Sequence, residues 1–438
     1  MNICVIGAGY VGLITALCFG KKGNKVICVE KNLDKLSMLN NGVPTIFEEG
    51  LDELLIDALN TNSVKFTDNL EIGIKSSDII FIAVGTPTKD NWDVDIGQVD
   101  AVINLISPYI NKYKVVVTKS TVPVGTQKYI TSKLLENHVQ KEYFDVVSNP
   151  EFLREGKAIY DFFYGDKIVL GSESQKALEV MRKLYEPFKI KMVLTNPETA
   201  ELIKYTSNAM LSVKISFMNE IANLCNKACA DIDVIAYALG LDKRISPLFL
   251  KAGIGYGGSC FPKDTKALVK MSENYNCNLN IVKATVDVNE KQRVIPVDIL
   301  LEHYKVIAGK TVAILGLTFK PDTDDIREAP SLYIIEKLLK NKVNIKVYDP
   351  MVTNEIKKIF PNIIYCNGMY ECLEDCDAMI ICTEWSEFYS IDLFKVNEIM
   401  RESVIIDGRN ILEIQKIKEA NIKAYYSVGK GNIKNLDI

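Results

Sequence analysis

Histidine is nearly absent from this chain: His138 and His303 are the only two among 438 residues. So little histidine argues against Ser-His-Asp or Cys-His catalysis and against histidine-rich metal sites, leaving Lys, Glu, Asp and water for acid-base work. The 11 cysteines include no Cys-x-x-Cys pair, so neither a disulfide framework nor a metal site is expected, and they read as thiols of a reducing cytosol. Cys225 with Cys229, and Cys372 with Cys376, stand one helical turn apart with no histidine nearby, which suits small core residues better than ligands. Charge of one sign is also missing: the formal net charge is -4 with 25% charged residues, giving no electrostatic case for nucleic acid or an anionic membrane. No apolar run approaches the roughly 20 residues that span a bilayer, and no basic-then-apolar leader precedes the first strand-like segment. A cytoplasmic protein is expected. Pro/Ser/Gly-rich linkers are absent too, so the domains should be packed rather than tethered.

What is present is a repeated β/α alternation. Ile3 to Ile6, Lys25 to Val29, Ile79 to Val84, Val115 to Lys119, Asp145 to Ser148 and Lys167 to Leu170 are short β-branched runs separated by helical patterns, as in a parallel sheet with crossover helices. From Asn196-Pro197 the pattern turns helical, with Ala200, Ile203, Met210, Val213, Phe217, Ile221, Leu224 and Ala228 at helical spacing and no Gly or Pro before Cys229. That predicts a rod of roughly 50 Å, long enough to tie two domains together and offer a face to a second subunit. The strand logic then returns at Lys310 to Leu315, Asn344 to Tyr348, Ala378 to Cys382 and Val404 to Ile406. The expected fold is α/β: two Rossmann-like doubly wound parallel-sheet domains, at 1–196 and 301–438, joined by a long central helix within a helical middle domain at 197–300.

Three segments carry chemistry. Gly7-x-Gly9-x-x-Gly12 follows a strand and opens a helix, and Glu30 ends the next strand, the context of a dinucleotide fingerprint with a ribose-binding acid that favours NAD over NADP. Glycines 253, 255, 257 and 258 lead into Ser259-Cys260-Phe261-Pro262-Lys263-Asp264, a loop able to aim backbone N–H groups at phosphate or an oxyanion beside a thiol. A dehydrogenase that stops at a carbonyl needs no thiol, whereas one that continues to an acid gains by trapping the aldehyde on sulfur. On the long helix Lys204 and Asn208 share a face, able to stabilise an alkoxide; a Glu201–Lys204 surface pair is the plainer alternative. Glu151 and Glu155 lie one turn apart after a strand, each either a base or a helix-start acid. Arg244, Lys251, Lys320, Arg327 and Arg409 are singly solvated charges or, together, a set that neutralises a pyrophosphate.

On Gly7-Ala8-Gly9-Tyr10-Val11-Gly12, Val84-Gly85-Thr86-Pro87, Lys119-Ser120-Thr121, Asn149 to Glu155, Arg244-Ile245-Ser246, Gly257 to Asp264 and Asp407-Gly408-Arg409, the chain resembles the UDP-glucose/GDP-mannose dehydrogenase family. The resemblance implies an NAD domain, a UDP-sugar domain and a central helix at the core of a homodimer. It implies that Cys260 is the nucleophile, that Lys204 and Asn208 stabilise the oxyanion, that Asp264 with Thr121 holds water, and that Glu151 assists thioester hydrolysis. It assigns Gly7, Gly9, Tyr10, Val11, Gly12, Glu30, Lys35, Thr86, Thr121, Glu155, Lys263 and Arg327 to NAD. The UDP-sugar would meet Glu151, Phe152, Leu153, Glu155, Lys204, Asn208, Phe249, Lys251, Gly257, Cys260, Phe261, Lys320 and Arg409, with Arg244 reaching in from the partner subunit. Glu30 departs from the family, where Asp is common.

Phe261 resembles the glucose branch of that family. The implied reaction is a four-electron oxidation of UDP-glucose at C6 to UDP-glucuronate, through a thiohemiacetal and a thioester on Cys260, with two NADH formed. Alternatives are the same chemistry on GDP-mannose or a UDP-N-acetylhexosamine, a two-electron hydroxyacid dehydrogenase, and a non-catalytic NAD sensor.

Overall fold

The computed structural model describes residues 1–351 and 354–434. They form two compact units, Met1–Ser207 with Lys270–Asn276, and Asn208–Val269 with Cys277 onward.

The first unit is built on eight strands: β1 (Asn2–Ile6), β2 (Lys25–Val29), β3 (Val64–Thr67), β4 (Ile79–Ile82), β5 (Lys114–Thr118), β6 (Phe144–Ser148), β7 (Ile168–Gly171) and β8 (Met192–Thr195). Their order is β3-β2-β1-β4-β5-β6-β7-β8. Side chains alternate between two buried faces, as a sheet covered on both sides requires. Ile3, Val5, Ile79, Phe81, Val115 and Val117 pack on one face, and Cys4, Ile6, Ile80, Ile82 and Val116 on the other. Because β1 lies between β2 and β4, the chain order reverses there, and the loops after β1 and β4 diverge to open a crevice.

One sequence expectation fails. β7 runs antiparallel to β6, through the pair Ser148↔Gly171, not parallel after a crossover. An antiparallel strand starts at the edge where its neighbour ends, so the connection need not cross the sheet. Its helix Ala158–Tyr164 instead inserts Phe162 edge-on against Phe19, 5.3 Å between ring centroids. The segment from Asn149 to Glu155 therefore follows directly from the carboxyl end of β6.

The second unit contains β9 (Thr311–Leu315), β10 (Asn344–Tyr348), β11 (Ile364–Tyr365), β12 (Ala378–Ile381), β13 (Val404–Asp407), β14 (Ala424–Ser427) and β15 (Ile433–Lys434), ordered β11-β10-β9-β12-β13-β14-β15. All pairs are parallel except β14 with β15, which is antiparallel. Around β9 the arrangement repeats that around β1, with the loops after β9 and β12 in the crevice position.

The long helix runs Pro197–Ala228, and its buried side mixes polar side chains with the apolar Tyr205, Ala209, Met218, Ala222 and Cys225, where a usual amphipathic helix buries an apolar stripe. Glu201, Lys204, Asn208, Ser212, Ser216 and Asn219 are buried, whereas Met210, Phe217 and Leu224, seven residues apart, are 60%, 51% and 59% exposed. The apolar series that signalled the helix therefore divides, with Ala200 in the core and these three outside it. Among the described residues, no helix is long and apolar enough to cross a membrane.

Candidate active site

In the first unit, Gly9 stands at the N-terminus of the helix Tyr10–Lys21 with no side-chain bond to its first N–H groups, which suits an anion. A Cβ at Gly12 would lie 1.9 Å from the Gly7 carbonyl oxygen, so only glycine lets helix and turn approach this closely. A Cβ at Gly9 would meet nothing within 4 Å, the open approach that a pyrophosphate needs. Glu30, just after β2, accepts from the Ala8 N–H at 3.0 Å and the Asn32 N–H at 2.9 Å, which fixes its carboxylate beside the glycine turn. These residues fit a dinucleotide. Lys35 lies in the first turn of the next helix, Leu33–Asn40, where its N–H donates to the Asn32 side chain. Thr86 donates to the Thr121 carbonyl at 2.8 Å, joining the loops after β4 and β5.

Sequence reasoning missed Glu48. Buried, it accepts from Tyr10, from Gly156 N–H at 2.8 Å and from Ala158 N–H at 2.5 Å, so it ties the fingerprint helix to the segment after Glu155. No local motif marks an acid that acts across such a separation.

Lys204 and Glu151 are buried together, with Nζ 2.8 Å from Oε1. The other Glu151 oxygen accepts from Leu153 N–H at 2.6 Å. Burial works to raise the Glu151 carboxyl, but Lys204, the Leu153 N–H and Lys119 hold it below its ordinary value. Such a carboxylate keeps Lys204 charged more readily than it takes up a proton. Phe152 lies beneath two ammonium groups, 4.4 Å from Lys167 and 5.5 Å from Lys204. Leu153 and Glu155 are half-buried.

Glu201 and Lys204 are 2% and 3% exposed, so the surface pair is excluded. Glu201 instead receives N–H bonds from Gly125 at 2.7 Å and Gln127 at 2.9 Å, and the Ser148 hydroxyl at 3.1 Å. Burial pushes its carboxyl up to about 7 against those three bonds. Glu201, Lys204, Thr121 and Ser148 line one recess. Lys119, fully buried, is pushed down to about 8 by desolvation against the opposing pull of Glu151.

In the second unit Cys260 is half-buried immediately before the helix Phe261–Asn274, whose dipole favours negative charge at that end. Its Sγ lies 3.5 Å from the Ser259 hydroxyl. Asp264 is fully buried, and both carboxylate oxygens are engaged: Asn208 donates to one at 2.6 Å and Lys263 to the other at 2.5 Å. Phe261 is flanked by Phe249, 6.2 Å between centroids, and by Tyr256 at 5.8 Å.

The cations are placed unequally. Arg244 is exposed and folds onto Asp242 at 2.6 Å. Lys251 is exposed. Arg327 pairs with Asp325 at 2.7 Å, and its carbonyl accepts from Gly258 N–H at 2.8 Å. Lys320 stands over the Phe319 ring at 5.3 Å, in the loop after β9. Arg409 is largely turned to the protein, donating to the Cys382 carbonyl at 2.7 Å and the Gly255 carbonyl at 3.0 Å. No group of three or more His, Cys, Asp or Glu that could hold a metal occurs among the described residues.

The chain matches the UDP-glucose/GDP-mannose dehydrogenase family in three parts: its NAD binding domain over residues 1–189, its central domain over 198–291 and its UDP binding domain over 313–414. It is 43% identical over 437 residues to the UDP-glucose 6-dehydrogenase TuaD of Bacillus subtilis, covering 100% of this chain and 95% of that protein. It is 38% identical over 443 residues to a UDP-glucose 6-dehydrogenase of Pseudomonas aeruginosa, covering 98% of each. Among solved structures, a UDP-glucose dehydrogenase from Pyrobaculum islandicum superposes with a TM-score of 0.92 at 35% identity, covering 98% of this chain and 97% of that one. With all three parts matched and relatives aligned along nearly its whole length, the chain belongs to the UDP-glucose/GDP-mannose dehydrogenase family.

Proposed function

We propose that the protein oxidises UDP-glucose at C6 to UDP-glucuronate. The observation that carries this reading is the 38–43% identity, over nearly the full length, to relatives named UDP-glucose 6-dehydrogenase. NAD, when bound, supplies the hydride acceptor for both oxidations. Gly7, Gly9, Gly12 and Glu30 would hold its pyrophosphate and ribose, with Tyr10, Val11, Lys35, Thr86, Thr121, Glu155, Lys263 and Arg327 as further contacts.

The residues' work follows from the chemistry of the reacting carbon. Oxidation of the C6 hydroxyl gives an aldehyde. The Cys260 sulfur adds to its carbon, forming a C–S bond and an alkoxide that takes a proton. Lys204 and Asn208 are the donors we assign to that oxygen, because an ammonium and an amide held rigidly by buried carboxylates stabilise charge without reorganising. Oxidation of the thiohemiacetal leaves a thioester. Water held by Asp264 and Thr121, with assistance from Glu151, adds to the carbonyl; the C–S bond breaks, and the acid and the Cys260 thiol are released. The uridine diphosphate and sugar would be met by Phe152, Leu153, Phe249, Lys251, Gly257, Phe261, Lys320 and Arg409, with Arg244 serving the partner's site.

Further parts of the proposal concern organisation: domains at 1–196, 197–300 and 301–438, a homodimer, and a cytoplasmic location. The exposed Met210, Phe217 and Leu224 support the dimer, and eleven free cysteines support a reducing compartment. The test is stoichiometry: two NADH per UDP-glucose, with Cys260→Ser trapping a covalent sugar adduct or stopping turnover. One NADH with release of a free aldehyde overturns the reading.

A further inference from the structure

The loop that delivers Cys260 is held by side chains that the proposed reaction does not use. Asn289, near the end of the helix Asn280–Gln292, accepts from the Tyr256 N–H at 2.8 Å and donates to the Tyr256 carbonyl at 3.0 Å. One amide thus satisfies both polar groups of a buried residue, as a neighbouring strand would. Arg293, one turn on and 0% exposed, donates to the same carbonyl at 3.3 Å and to Glu328 at 3.0 Å, with Tyr333 4.5 Å beneath its guanidinium. Gly255, at φ +87°, is pressed against this platform: a Cβ there would lie 2.7 Å from Asn289 Oδ1. Gln292 adds a bond to the Gly253 carbonyl at 2.8 Å.

The contacts to the Gly253–Tyr256 segment all grip backbone rather than side chain, within seven residues of the thiol. A buried amide and guanidinium are expensive to desolvate, and here their bonds converge on the Gly253–Tyr256 segment and on Glu328, which follows Arg327.

We propose that Asn289 and Arg293 are positioning residues for the reaction, fixing the backbone that aims the Cys260 sulfur and locking it to the segment bearing Arg327. This rests on Cys260 being the nucleophile. A displacement of the thiol by about 1 Å costs on the order of 100-fold in rate while leaving substrate contacts in place.

The experiment measures Asn289→Ala and Arg293→Lys in the full-length enzyme, with rates normalised to folded protein. The readouts are kcat, KM for UDP-glucose and for NAD, and the pH profile of iodoacetamide alkylation. Alkylation is read at the Cys260 peptide, because Cys229 and Cys277 are exposed and Cys366 is half-buried like Cys260. The expected result is a 10- to 100-fold fall in kcat, KM values within about threefold, and a displaced alkylation profile. A merely structural role lowers melting temperature but leaves kcat per folded molecule and the profile on those of the wild type, which overturns the proposal. If Asn289→Ala does not fold, Arg293→Lys decides alone by the same criteria. Cys260→Ser run alongside separates the two readings. Full turnover by that variant overturns the nucleophile and this inference with it, whereas loss of turnover beside wild-type-like Asn289→Ala and Arg293→Lys overturns this inference alone.

Discussion

Asn208 donates its side-chain amide to Asp264 at 2.6 Å, and the carboxylate so held is fully buried one turn after Cys260. This bond fixes which way the amide faces, since one of its two N–H groups is committed to the carboxylate. If Asn208 is the oxyanion donor proposed above, replacing it by Ala should lower kcat on the order of 100- to 1,000-fold, read from the rate of NADH formation. Asp264→Asn keeps the shape but loses the charge that holds Lys263, and we expect the acylated enzyme to accumulate. Intact-mass measurement after mixing with UDP-glucose and NAD checks the latter.

Lys119 makes stability depend on pH. Its folded value of about 8 lies below the ordinary lysine value of 10.5, so between them the unfolded chain binds more protons and stability rises with pH. Below about 8 the folded state carries the full penalty, about 3 kcal/mol from the size of the displacement. Lys119→Met removes that slope, and the variant should be the more stable near neutrality. Asn149, to which Lys119 donates at 3.4 Å, keeps its bond from Tyr185 at 2.6 Å. Urea titrations of both proteins from pH 7 to 10 would show parallel curves if Lys119 is not the cause.

Glu30 holds the turn after β1 through two N–H bonds. Its charge also repels a 2′-phosphate, so Glu30→Ala has two consequences. KM for NAD should rise about tenfold, the equivalent of one lost charge-assisted bond, and the preference for NAD over NADP should narrow. Initial rates with each coenzyme give the ratio directly.

The exposed Phe217 side chain stands midway between Met210 and Leu224 along the long helix. Phe217→Glu should convert the proposed dimer to a monomer in light scattering while leaving the circular dichroism of the chain intact. An unchanged mass would place the subunit contact elsewhere.

Much of this architecture is legible in residue order, and the exceptions have physical causes. β2 and β10 match their expected bounds because β-branched runs end at Glu30 and Asp349. The direction of β7 is not legible, because parallel and antiparallel strands carry the same alternation. β8 is obscure because its Val193 and Leu194 are exposed at the sheet edge, so no burial pattern frames it. The glycine turn, Glu30 and the Cys260 loop announce themselves through local spacing. Glu48, Asn289 and Arg293 do not, since each acts on backbone remote in sequence, and nothing in their neighbours records that partner.

The polar members of the long helix's buried side reverse the usual rules of substitution at their own positions. On its inward side, leucine in place of Ser216 or Asn219 would remove the bond to the Thr285 carbonyl or to the Gly253 N–H that these side chains serve and would crowd neighbours shaped for smaller groups. On its outward side, glutamate in place of Met210 would be harmless to a single folded chain. A saturation library scored for fold alone would therefore select for polarity at Ser216 and Asn219, for apolar groups at Met218 and Ala222 beside them, and for neither at Met210.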